Sequence, residues 1–125
     1  ALASGRRMHR KRFAQLYRTM DFGRLLRMLP YEEMERYYLE AFKDLLGRGG
    51  HDRAELIRTL KAYYDNHCNL VDTAKALYVH RNTVVYRLEK CEKLTGRSLK
   101  DAEAAFGFQV AFAIEPMLKR DPFGR

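Results

Sequence analysis

The sequence predicts an all-α fold, and two observations carry that prediction. Apolar residues recur at spacings of three and four along most of the 125 residues, as they do on one face of a helix. The sequence also lacks long alternations of Val, Ile and Thr, and it contains no Asn-Gly or Asp-Gly pair that would close a hairpin. We therefore expect several helices and no sheet.

Composition limits the class of protein. Hydrophobic residues make up 46% and charged residues 32%, which is ordinary for a globular domain. Apolar runs are only a few residues long, so no membrane span is predicted. The two cysteines are too few for a disulfide framework and favour a cytoplasmic protein. Because the chain begins at Ala1 without an apolar signal-peptide core, we expect it to be a piece of a longer protein.

Residues 1–50 are predicted to form a basic helical extension or linker. A strongly basic segment, Arg6–Thr19, is followed by a short apolar helix, Phe22–Leu29. Pro30 suits the first turn of the next helix, and Gly47 is expected to end it. The apolar face of that helix is predicted to carry Tyr31, Met34, Tyr38, Phe42 and Leu45.

Residues 51–118 are predicted to be one domain, followed by a tail at 119–125. Asp52 with Glu55 resembles a capping box, which would open a helix bearing Leu56, Leu60, Tyr63 and Tyr64. Asn69 with Asp72 repeats the device before a short helix. At the end of the domain, Asp101 can cap a last helix bearing Phe106, Val110, Ala113 and Ile114, which Pro116 would end or kink.

Between these helices lies the order of elements that is typical of a helix-turn-helix. A helix of about two turns is followed by a tight turn at Tyr78-Val79 and by a longer helix, Arg81–Leu94, which Gly96 ends. The two helices must cross closely, and Ala74 supplies a small residue at the crossing.

A polar face on the second helix of this motif predicts a site for DNA. The amino-terminal end of that helix enters the major groove in helix-turn-helix proteins, where Asn can pair with adenine and a Val methyl can contact thymine. At 100° per residue, the inner side is predicted to carry Val84, Leu88, Cys91 and Thr95, and the outer side Asn82, Tyr86, Glu89 and Lys93. The candidates for base edges are Asn82, Thr83, Val85 and Tyr86. The candidates for phosphates or the groove wall are Arg81, Arg87, Lys90, Thr73 and Lys75, while His80 is expected to cap the helix or to touch phosphate.

The formal net charge of +8 agrees with a polyanionic partner, but it does not select one. The alternative is a helical dimerisation or protein-interaction module whose charged face is simply solvated. A third hypothesis, that basic amphipathic helices lie on a membrane surface, is less consistent with the regular caps predicted for these helices.

The segments Leu77–Leu88 and Leu94–Gly96 closely resemble the C-terminal helix-turn-helix of PucR-type regulators, which include purine-catabolism and carbohydrate-diacid regulators. The resemblance covers about Asp52 to Leu118. It implies a sequence-specific DNA-binding unit of a longer bacterial transcription regulator, with the effector bound by an upstream domain. The core also resembles the factor-for-inversion type of helix-turn-helix, which is dimeric. The sequence departs from the family at His67-Cys68, where Gly-Gly is common, and at Cys91, where a larger aliphatic residue is usual.

A homodimer on double-stranded DNA is expected, because one unit would bury only ~600–1,000 Å² and rarely binds tightly. The two recognition helices would then lie ~34 Å apart. No catalytic constellation, metal site or cofactor site is predicted. Cys68 and Cys91 do not form a metal-binding pair, and Gly47–Gly50 lacks the residues of a phosphate loop.

Overall fold

The computed structural model describes residues 22–47 and 50–119, and these form helices joined by short turns. No strand occurs in these two ranges, so the predicted all-α class is confirmed for them. The basic segment Arg6–Thr19 and the end of the predicted tail, 120–125, lie outside the described residues. The helices are α1 (Phe22–Leu26), α2 (Tyr31–Leu46), α3 (Gly50–Asp65), α4 (Leu70–Leu77), α5 (Arg81–Thr95) and α6 (Ala102–Lys119).

One main hydrophobic core joins α2 to the four helices that follow it. Phe42 is fully buried in this core, where its ring centroid lies 5.8 Å from that of Phe108 and 5.0 Å from that of Phe112. Because α2 contributes residues at the centre of this core, it packs in the same bundle as residues 51–118. The other core members include Leu45, Leu56, Leu60, Val84, Leu88, Cys91 and Ala111.

A smaller cluster holds α1 against the same bundle. Leu26, Met34 and Ile114 are its buried members, and they come from α1, α2 and α6. Beside it the Tyr38 hydroxyl donates a 2.6 Å hydrogen bond to the Glu115 carboxylate. The bundle thus extends back to residue 22, and α6 runs along both clusters.

Local capping chemistry explains several of the helix ends. The Asn69 side chain accepts from the backbone N–H of Asp72 at 2.9 Å, and Asp101 accepts from that of Ala104 at 3.0 Å, as predicted. Gly96 has the left-handed conformation expected after α5, with φ 69°.

Three predicted helix ends differ from the structure. α1 ends at Leu26 rather than at Leu29. α3 begins at Gly50, so Asp52 lies in its first turn rather than at its N-cap. Of the two effects predicted for Pro116, an end of the helix is wrong, because α6 continues to Lys119. A proline so near the carboxyl end removes only one backbone hydrogen bond from the last turns, and the helix therefore tolerates it.

The buried face of α6 also differs from the prediction in part. Phe106 is 66% exposed, whereas Phe108 and Phe112 supply the aromatic packing. Ile114 is buried as expected. Since α6 is apolar on nearly all sides from Ala104 to Ile114, apolar spacing alone does not identify which face turns inward.

Candidate nucleic-acid interface

The helix-turn-helix is formed by α4 and α5, with residues 78–80 as its turn. Tyr78 adopts a left-handed conformation with φ 58°, and the backbone N–H of Val79 donates to the Ala74 carbonyl at 3.0 Å. Ala74 is buried, as its predicted position at the crossing requires. These bonds end α4 and turn the chain sharply into α5.

His80 fixes the start of α5. Its Nδ1 accepts a 3.0 Å hydrogen bond from the backbone N–H of Asn82, so the side chain is an N-cap. Because Nδ1 is the acceptor, the ring N–H stands at Nε2, on an exposed side chain. The cap therefore fixes where α5 begins and leaves the outer surface of its first turn exposed.

The two sides of α5 differ as the helical spacing predicts. Val84 and Cys91 are completely buried and Leu88 nearly so. Asn82 is exposed on the opposite side, and Tyr86 is 64% exposed. Further exposed residues near the start of the motif or on its outer side are Lys75, Arg81, Glu89 and Lys93, while Thr83 and Val85 are half-buried.

Thr73 does not reach this surface. Its side chain is fully buried, and its hydroxyl donates a 2.7 Å hydrogen bond to the Asn69 carbonyl. The residue lies beside Ala74 on the inner side of α4, where the bond within its own helix satisfies the hydroxyl. We therefore leave Thr73 out of the interface proposed below.

Arg87 and Lys90 are held by carboxylates of α3. The Arg87 guanidinium lies 3.0 Å from the Glu55 carboxylate, with its side chain only 22% exposed. Lys90 pairs with Asp52 at 3.1 Å and is 31% exposed. Sequence reasoning missed both pairs, because their acidic partners lie more than thirty residues earlier in the chain and no local pattern links them. The two ion pairs connect α5 to α3 and restrict its rotation.

Cys91 lies in the core, as its predicted place on the inner side of α5 requires, and Cys68 lies in a turn. Cys91 is completely buried, and burial raises the pKa of its thiol to about 12. Cys68 is exposed in the turn between α3 and α4, where it and His67 both have positive φ.

Among residues 22–47 and 50–119, no group of His, Cys, Asp and Glu side chains converges as a metal site would require. No helix in these ranges combines the length and apolar character needed to cross a membrane.

Comparison with known proteins identifies the family of this region. Residues 56–114 match the PucR C-terminal helix-turn-helix domain. The chain is 42% identical over 118 residues to the purine catabolism regulatory protein of Bacillus subtilis, a match that covers 94% of this chain and 22% of that protein.

Two further relatives are regulators as well. The carbohydrate diacid regulator of Escherichia coli is 37% identical over 48% of this chain, and the proline-responsive transcriptional activator PutR of Bacillus subtilis is 30% identical over 58%. Each match covers 16% of the relative. The chain thus spans less than a quarter of the length of these relatives. No solved structure matches it, and the resemblance to the factor-for-inversion type stays a prediction. Residues 56–114 belong to the PucR C-terminal helix-turn-helix family of transcriptional regulators, as the motif in α4 and α5 predicts.

Proposed function

We propose that the chain binds double-stranded DNA in a sequence-specific manner and that α5 enters the major groove. One observation carries this proposal: Asn82 and Tyr86 stand exposed on the outer side of the first turns of α5, while Val84 and Leu88 hold the inner side. A helix anchored in this way can present its polar side to base edges without unfolding any part of the bundle.

The outer residues divide by the part of DNA that suits their chemistry. The Asn82 amide can pair with an adenine edge, and Thr83, Val85 and Tyr86 lie on the same side or beside it. Lys75 and Arg81 are exposed cations that suit phosphates, and the Nε2–H of His80 can donate to a phosphate oxygen.

Arg87 and Lys90 have a different role in this proposal. Their pairing with Glu55 and Asp52 occupies the charges that a phosphate contact would use. They act on binding by fixing the orientation of α5 against α3, so that Asn82 meets the groove at one angle.

Dimerisation and effector control belong to the same proposal. Two copies on two half-sites would supply the contact area that one unit lacks. Because the related regulators are several times longer, an effector would bind elsewhere in the whole protein, which would act in the cytoplasm.

A second candidate function is a protein-interaction or dimerisation module without a DNA role. The apolar side chains Leu25, Met28 and Leu29 favour it, since all three are exposed within five residues of sequence at and just after the end of α1. These three residues lie outside the helix-turn-helix, so the two candidate functions can be tested with separate variants.

Binding measured across salt concentrations tests the first proposal. A DNA sequence selected from a random pool is titrated with the wild-type chain and with the Arg81→Ala and Lys43→Ala variants. Lys43 is the matched control, because it is an exposed cation on α2 that lies 3.7 Å from Glu40.

Arg81→Ala is expected to weaken binding to all sequences and to reduce the salt slope by about 0.9, the value for one lost phosphate contact. Lys43→Ala is expected to change neither. Affinity that does not fall with salt, or equal effects of the two variants, would contradict the proposal.

A further inference from the structure

Tyr78 is the most exposed large hydrophobic side chain among the residues that the structure describes. Its side chain is 93% exposed, although the residues on either side of it in sequence, Leu77 and Val79, pack in or against the core. Burial therefore does not explain a tyrosine at this position.

The backbone at Tyr78 adds to this observation. Its φ of 58° lies in the left-handed region, which an L-residue with a Cβ occupies at a cost that glycine avoids. The two hydrogen bonds that end α4 here use only the backbone N–H, which donates to the carbonyls of Ala74 and Lys75. Glycine would preserve both bonds and relieve the backbone, so the phenol serves no purpose in the fold that these contacts reveal.

The position of Tyr78 in the motif suggests a partner. It lies two residues before His80, the N-cap of α5, and between the exposed cations Lys75 and Arg81 in sequence. In a helix-turn-helix docked on DNA, the first helix crosses the backbone and the amino-terminal residues of the recognition helix contact base edges, so the turn that joins the two helices lies near the groove wall. The polar groups on that wall are phosphate oxygens, and tyrosine is one of the side chains that donate to them.

We infer that Tyr78 is a further DNA-contacting residue, whose hydroxyl donates a hydrogen bond to a phosphate beside the groove that α5 enters. This inference rests on the proposed function and extends it to a residue outside the predicted interface. The contact positions the motif on the duplex and carries no sequence information.

The inference predicts effects of opposite sign on folding and on binding. Tyr78→Gly raises the melting temperature of the chain, because it removes the left-handed strain, and it weakens DNA binding. Tyr78→Phe keeps the ring and removes only the hydroxyl. It is expected to lower affinity about three- to tenfold, the range for one lost hydrogen bond.

Two features of the loss identify a phosphate contact. Selected and unrelated DNA sequences lose affinity by the same factor, because the phosphate backbone is common to both. The salt slope stays unchanged, because an uncharged hydroxyl releases no counterion.

His67→Gly is the matched control. His67 is also exposed in a turn and has a φ of 56°, but it precedes α4 rather than α5. This variant is expected to raise the melting temperature and to leave DNA affinity unchanged.

Thermal unfolding and fluorescence anisotropy of labelled duplexes measure all three variants. Wild-type affinity in both Tyr78 variants would overturn the inference, as would a lower melting temperature for Tyr78→Gly, which would reveal a role within the fold. If both Tyr78 variants bind with wild-type affinity while Arg81→Ala still lowers the salt slope, the inference about Tyr78 is refuted and the proposed function is not. A wild-type chain without salt-dependent DNA binding would overturn the proposed function itself.

Discussion

Replacing His67 with glycine should stabilise the chain, and the expected size follows from the backbone of the α3–α4 turn. His67 has φ 56°, and its imidazole is exposed. An L-residue in this region costs about 1–2 kcal/mol relative to the right-handed helical conformation, and glycine avoids most of that cost. Glycine also adds freedom to the unfolded chain, which lowers stability by about 0.4–1 kcal/mol. The net gain for His67→Gly is therefore on the order of 0.5–1 kcal/mol.

The hydrogen bonds of this turn survive the substitution. The backbone N–H of His67 donates to Tyr64 at 3.1 Å and that of Cys68 donates to Tyr63 at 2.8 Å, and neither bond involves the imidazole.

Urea unfolding of the 125-residue chain measures the effect. The midpoint for His67→Gly should rise with an unchanged m-value, and the melting temperature should rise by about 4 °C per kcal/mol. His67→Ala is the control, since alanine keeps the Cβ and should stay within about 0.5 kcal/mol of the wild type. A His67→Gly chain no more stable than His67→Ala would refute the reasoning about strain.

Three other expectations follow from buried or paired groups. A thiol reagent should modify Cys68 in the folded chain and Cys91 only after unfolding, and equal rates would contradict the burial of Cys91. Burial raises the pKa of Cys91 from 9.0 to about 12, so the folded state holds this proton more tightly than the unfolded state does. The free energy of unfolding is therefore unaffected by this group below pH 9 and falls as the pH rises from 9 toward 12. Cys91→Val should reduce this fall, measured as the urea midpoint at each pH. Glu55→Gln should destabilise the chain by about 1 kcal/mol through loss of the partly buried pair with Arg87, whereas Glu33→Gln, in an exposed pair, should have almost no effect. A double-mutant cycle with Arg87→Met that gives no coupling energy would show that the 3.0 Å pair contributes nothing.

Helix caps and the sides of α5 could be predicted from sequence because their causes are local. Asn69 and Asp101 each accept from an N–H three residues ahead, so the signal lies within one helical turn. On α5, Val84, Leu88 and Asn82 fall on the expected sides because apolar and polar residues alternate with the helical period.

Features that depend on distant residues could not be predicted in this way. The pairing of Lys90 with Asp52 requires α3 and α5 to lie side by side, which no local spacing encodes. The exposure of Phe106 could not be read from α6, because apolar residues surround that helix. Thr73 has a side chain that suits either phosphate or its own helix, and only packing decides between them.

The central claim is that the outer side of α5 reads bases, and sequence discrimination by Asn82→Ala tests it most directly. The measurement is the ratio of Kd values for a selected duplex and for duplexes that differ from it by one base pair. The wild-type chain should discriminate at the position that Asn82 contacts by about 1–3 kcal/mol. Asn82→Ala should lose that discrimination at this position alone, while the other positions keep theirs. Unchanged ratios at every position would contradict the account, even if the variant still binds DNA.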